Sequence, residues 1–89
     1  MVYITHIRLS GGTSIQHIER VRWFDPAANK SDHCSRQDMV DWIEQKKGDA
    51  RVKGPYGDVA VTVVRAVPPY LKTKPNNTHE DNLLSLPSF

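Results

Sequence analysis

Two histidines are the first residues of this 89-residue chain that could do chemistry together. If Gly11-Gly12 forms a two-residue hairpin loop, His6 lies directly opposite His17. Opposed Cβ atoms in such a pair sit about 4.5–5.5 Å apart, close enough for both imidazoles to meet one metal ion. Glu19 would be a same-face neighbour. The pairing depends on register, and any longer loop abolishes it. Ordinary cross-strand packing is the commoner use of two such residues, so no metal site is expected.

Cys34 is the next candidate. It stands just before Ser35, an expected helix N-cap, where the helix dipole favours a thiolate, and His33 beside it could serve as a base. Adjacent residues point apart, however. The same position also suits a small apolar group that packs on the fourth helical residue, here Met39. Packing is therefore the expected role. No carboxylate has the apolar sequence surroundings that a general acid needs. The chain has no phosphate-binding Gly-Lys loop, no dinucleotide fingerprint and no Gly-x-Ser-x-Gly. Neither catalysis nor a cofactor is expected.

Binding chemistry has more material. Residues 46–74 carry seven Lys/Arg against Asp49 and Asp58, a segment charge of +5. Residues 1–45 come to −1 and residues 75–89 to −2, within a total of +2. Arg51, Lys53, Arg65 and Lys72 fall on expected strands, with Tyr56 and Tyr70 near them. Basic groups beside aromatic platforms suit single-stranded nucleic acid or a nucleotide. The competing use of the aromatics is a protein interface anchored by Trp23, Tyr56 and Tyr70.

The elements that must position these side chains follow from local pattern. Tyr3 to Leu9 is rich in β-branched residues and reads as a strand, followed by the turn cluster Ser10-Gly11-Gly12-Thr13. Ile15 to Phe24 reads as its hairpin partner, and Asp25 to Asp32 as a loop. Ser35 as N-cap and Asp38 at the third helical position start a helix over Arg36–Lys47. Met39, Trp42, Ile43 and Lys46 share one face of it, and Gly48 is expected to end it in the left-handed conformation. Ala50–Lys53 is a short strand and Gly54–Asp58 a turn. Val59–Val67 is a central strand, apolar on both faces, until Pro68-Pro69 stops it. Tyr70–Thr73 is the last strand, and Leu83, Leu84, Leu86 and Phe89 anchor the tail. The order β-β-α-β-β-β implies an α+β fold, a mostly antiparallel sheet with one helix on one face.

Size and composition narrow the classes further. A mass of 10.1 kDa allows one domain, residues 1–89. A mean hydropathy of −0.54 and an apolar run, Val59–Val67, broken by Thr62 and Arg65 give no membrane span. The first residues lack a basic stretch followed by an apolar one, so no secretory leader is expected. A single cysteine rules out an internal disulfide framework and fits a reducing compartment, the cytoplasm.

Three stretches together resemble a known family: Ile4-Thr5-His6-Ile7-Arg8 with Gly11-Gly12, Tyr70-Leu71-Lys72-Thr73, and Asp81-Asn82-Leu83-Leu84-Ser85-Leu86-Pro87. The family comprises small stand-alone bacterial and phage proteins classed as a domain of unknown function. The resemblance implies an independent domain of a family not known as enzymes. It departs from the family pattern at Pro68-Pro69, where glycine is usual, and at Asn76-Asn77, where Asp-Gly is usual. The expected function is binding to a protein partner, as a phage or mobile-element inhibitor of a host system. The alternative is an anionic ligand, nucleic acid or nucleotide, held by Arg51, Lys53, Arg65 and Lys72. Unpaired sheet edges make a homodimer a further expectation.

Overall fold

The computed structural model describes residues 1–54, 57–74 and 82–89. Tyr56, Asp81 and the polar stretch 75–80 lie outside the described residues. Among the described residues, six strands form one sheet: β1 (Val2–Leu9), β2 (Ile18–Asp25), β3 (Lys30–Ser35), β4 (Ala50–Gly54), β5 (Gly57–Val64) and β6 (Tyr70–Thr73). Their spatial order is β3-β2-β1-β4-β5-β6. All neighbours are antiparallel except β1 and β4, which run parallel through Val2↔Ala50 and Tyr3↔Arg51. One helix, α1 (Arg36–Gln45), packs against β2, β3, β5 and β6. The α+β class is as the sequence implies.

β3 is an addition, since the sequence reads as loop up to Asp32. Its first four residues are polar and exposed and only Cys34 and Ser35 are half-buried, so it carries no apolar alternation to announce it. The turn that creates it is local. The Asp25 carboxylate accepts from the Ala27 and Ala28 N–H groups at 3.0 and 3.3 Å, and Asn29 takes a positive φ of 50°. Cross-strand pairing then runs without interruption from Asp25↔Lys30 to Arg20↔Ser35.

The β1–β2 connection overturns the two-residue loop. β1 pairs with β2 down to Leu9↔Ile18, leaving residues 10–17 as a longer link that contains a 3-10 turn at Ile15–His17. His6 therefore lies opposite Arg22, not His17. His17 instead folds back on Ser14, whose hydroxyl lies 2.7 Å from its Nδ1.

The helix begins as expected. The Ser35 hydroxyl accepts from the Asp38 N–H at 3.1 Å. It ends two residues early, and the left-handed position is Lys47 (φ 52°), not Gly48. The N–H groups of Lys46 and Gly48 both donate to the Trp42 carbonyl. Glycine is needed at 48 for a different reason: a Cβ there would lie 2.3 Å from the Trp42 indole.

Val2, Ile4, Ile7, Ile18, Val21, Ala50, Val52, Val61 and Leu71 of the sheet form one core with Met39, Val40 and Leu83. Burying each large aliphatic side chain contributes about 1.5–3 kcal/mol. The tail completes this core. Leu83 is fully buried in a 3-10 turn (Asn82–Ser85), and the Asn82 N–H donates to the Thr73 hydroxyl on β6. Beyond it, the Ile7 N–H donates to the Pro87 carbonyl, and Ser88 bridges Ile7 in parallel. One edge of β1 is thus shared, by β4 at residues 2–3 and by the tail at residue 7. β5 is paired on both sides, as expected of a central strand, but ends at Val64. No helix of the described residues is long and apolar enough to cross a membrane.

Candidate functional site

Strand alternation sends the residues between the core positions to the face that α1 leaves open. On β2 these are Arg20, Arg22 and Phe24; on β1 they are Tyr3, His6 and Arg8; on β3, His33; on β4, Arg51 and Lys53. Pairing aligns them in rows across the strands: Arg20 beside Arg8, then His33, Arg22 and His6, then Phe24, Tyr3 and Arg51. A bulge at Thr5 keeps Ile7 in the core while His6 and Arg8 stay outside, and the Thr5 hydroxyl donates to the Arg22 carbonyl at 3.3 Å.

Phe89 lies on the first two rows. Its ring centroid is 4.7 Å from the Arg8 guanidinium carbon and 5.4 Å from that of Arg22. His6 meets the ring edge-on at 6.3 Å and His33 at a tilt at 6.1 Å. Arg8 Nε donates to the Phe89 main-chain oxygen at 2.9 Å, and Arg20 reaches His33 Nδ1 at 3.0 Å. A guanidinium has five donors, so those not engaged with Phe89 or His33 stay available to a ligand. Among the described residues, no side-chain carboxylate forms an ion pair with Arg8, Arg20 or Arg22.

The β4 side of the face is wired differently. Arg51 meets Asp49 at 2.9 Å and Asp58 at 3.7 Å. Its hydrogen bonds hold the Asp49 carboxyl below the usual carboxylate range, and they raise the Arg51 pKa in return. Tyr3 donates its hydroxyl to Asp58 at 2.7 Å, which raises the phenol above its ordinary value. Lys53 Nζ stands 4.9 Å over the Tyr3 ring. Between the two sides a groove of about 250 Å³ is lined by Tyr3, Ile4, Thr5, Phe24, Lys53 and Leu86.

The four basic residues singled out in the sequence are not brought together. Arg51 and Lys53 share the open face, but Arg65 lies past the end of β5 and pairs with Glu44 at 3.0 Å. Lys72 is half-buried opposite Thr62 on the far edge strand β6. The aromatic set is also dispersed. Trp23 is half-buried against α1, where it lines a groove of about 300 Å³ with Val2, Asp25, Met39 and Trp42. Tyr70 opens β6, separated from β2 by three intervening strands, and Tyr56 lies outside the described residues. Cys34 pairs with Val21 and packs against the core, and burial pushes its thiol up. Among the described residues, no three His, Cys, Asp or Glu gather closely enough to hold a metal ion.

Of the segments that carried the resemblance, β1 contributes to this face and the tail closes the core beside it. β1 supplies Ile4 and Ile7 to the core and His6 and Arg8 to the face; Leu71 and Leu83 belong to the same core. A family model described as a protein of unknown function, DUF3892, matches residues 3–87. The chain belongs to this family. No curated protein and no solved structure matches the chain. In this DUF3892 chain the available arginines were missed by counting charge along segments. Arg8, Arg20 and Arg22 lie in a stretch whose total is negative. The alternations His6-x-Arg8 and Arg20-x-Arg22 were the readable signal, because residues two apart on a strand share a face.

Proposed function

We propose that the protein is a non-enzymatic binding module and that its working surface is the open face of the sheet, which takes an anionic ligand. One observation carries this reading: three arginines on two adjacent strands, none in an ion pair with a side-chain carboxylate among the described residues. Guanidinium groups so arranged suit phosphate or carboxylate groups through paired N–H donors. The residue set differs from the one expected, because Arg51 is already engaged by two aspartates and Arg65 by Glu44. The cytoplasm is the setting we assign, where a lone half-buried thiol stays reduced.

Titration with inorganic polyphosphate at low and moderate salt tests this. Binding should weaken steeply with salt and vanish in the triple variant R8A/R20A/R22A, while R65A/K72A binds as the unaltered protein does. Polyphosphate binding that survives the triple variant overturns the reading.

A protein partner is the second reading, favoured by the groove that holds Trp23 and Trp42 on the helix side. A half-buried tryptophan pair at a groove wall is the kind of anchor that interfaces use. The two readings separate cleanly, since a partner docked there would be insensitive to the triple arginine variant.

A further inference from the structure

We propose that the open face binds single-stranded nucleic acid, with phosphates on Arg8, Arg20 and Arg22 and a base seated against Tyr3 and Phe24. The inference rests on the anion-binding reading and adds the chemistry of the ligand.

Two unlike features lie side by side here. The arginine rows offer charge and in-plane donors. The adjoining groove offers aromatic walls from Tyr3 and Phe24, an apolar floor from Ile4 and Leu86, the Thr5 hydroxyl, and the Lys53 ammonium. On β2, Arg20, Arg22 and Phe24 succeed one another on one face at about 7 Å steps, the two-residue repeat of a strand. A ligand that uses all three must carry negative groups about 7 Å apart with a flat ring next to them. An extended single strand does so. A duplex presents its phosphates but keeps its bases stacked away from a sheet surface, and inorganic phosphate leaves the groove empty. Basic tracks beside aromatic platforms are the general solution for single strands, and arginine planes and histidine rings stack on bases as well. Phe89 adds to this by lying against the guanidinium groups of Arg8 and Arg22 before any ligand arrives. The charge asymmetry sets the direction of the track: it runs along the β1–β3 side, since Asp49 and Asp58 occupy the β4–β5 side.

The test is fluorescence anisotropy with a labelled single strand of about 12 nucleotides, within the usual footprint of such sites. The competitors are the same sequence as duplex, an abasic strand of equal length, an acidic peptide, and polyphosphate. The single strand should bind at least about tenfold more tightly than the abasic strand, the increment expected from stacking of one base. Its affinity should fall about twentyfold between about 50 and 200 mM salt, as three neutralised phosphates require. Tyr3→Ala should bring the single strand down to the abasic level. Should that variant misfold, backbone amide shifts in the unaltered protein decide: they should gather on Tyr3–Arg8 and Arg20–Phe24. Equal affinity for the single strand, the abasic strand and polyphosphate overturns this inference and leaves the anion reading standing. So does preference for the duplex or the peptide, or shifts gathered elsewhere. Failure to bind any polyanion overturns both.

Discussion

The open face has two halves that meet at the short parallel contact between β1 and β4. On the β1–β3 half, Arg8 and Arg22 lie over the Phe89 ring and Arg20 is hydrogen-bonded to His33. On the β4–β5 half, Arg51 lies between Asp49 and Asp58, and Asp58 also accepts from Tyr3. Both halves are basic by composition along their strands. Only one has guanidinium groups that no side-chain carboxylate of the described residues pairs with. The difference teaches that a cation's availability is a property of its cross-strand and diagonal neighbours. Asp49 is two residues from Arg51 on the same face, and Asp58 arrives from β5 by the hairpin. The most positive segment of the chain thus spends its arginine internally, while a segment of negative total presents three.

The largest expected effect tests whether the halves are one folding unit. Leu83 is fully buried in the tail turn that touches β1, β4 and β6, where the direct β1–β4 pairing stops. Leu83→Ala should cost about 2–5 kcal/mol, the range for emptying a core leucine site. Thermal unfolding followed by circular dichroism and tryptophan fluorescence should still show one transition at a lower midpoint. Two separate transitions would mean that the halves are held independently.

A smaller effect would erase the contrast between them. Asp49→Asn combined with Asp58→Asn releases Arg51, and polyphosphate affinity should rise several-fold as the second half joins the first. Stability should barely move, because exposed ion pairs of this kind contribute about 0–1 kcal/mol. No gain in affinity would mean that Arg51 lies too far from the bound anion to matter.

The smallest effect concerns Tyr3, which sits on the seam. Its hydroxyl donates to Asp58, so ionising it would set two anions together, and its pKa lies above the ordinary 10.0. The folded state therefore favours the neutral phenol. That contribution is fully present below the ordinary value and is lost as pH rises through the raised one. Ultraviolet difference titration of the protein against Tyr3→Phe isolates this residue from Tyr56 and Tyr70. Tyr3 should ionise late, and Asp58→Asn should bring it back toward 10.0. An unchanged Tyr3 titration in Asp58→Asn would remove the hydrogen bond from the account.

What the sequence determined by itself is whatever depends on neighbours a few residues away. Ser35 caps the helix through Asp38, three positions on. The period of Met39, Trp42 and Ile43 turns one helix face to the core, and the apolar spacing of Tyr3–Leu9 and Val59–Val64 makes strands. The tail leucines belong to the core because Leu83, Leu84 and Leu86 are too many apolar groups to leave in water. The family resemblance, too, rested on these local runs. Only the tertiary structure decided register and pairing. A loop of eight residues in place of two put His6 against Arg22 and left His17 on Ser14. β3 exists because β2 had a free edge, although Lys30–Ser35 has no apolar pattern of its own. Gly48 is required by the Trp42 ring lying across it, not by its own φ. The arginine rows form because a single bulge at Thr5 shifts β1 by one residue and keeps His6 and Arg8 on the open side. A side chain's face changes with every one-residue slip, so a pairing set by cross-strand contacts, up to 80 positions apart for Ile7 and Pro87, leaves little local trace.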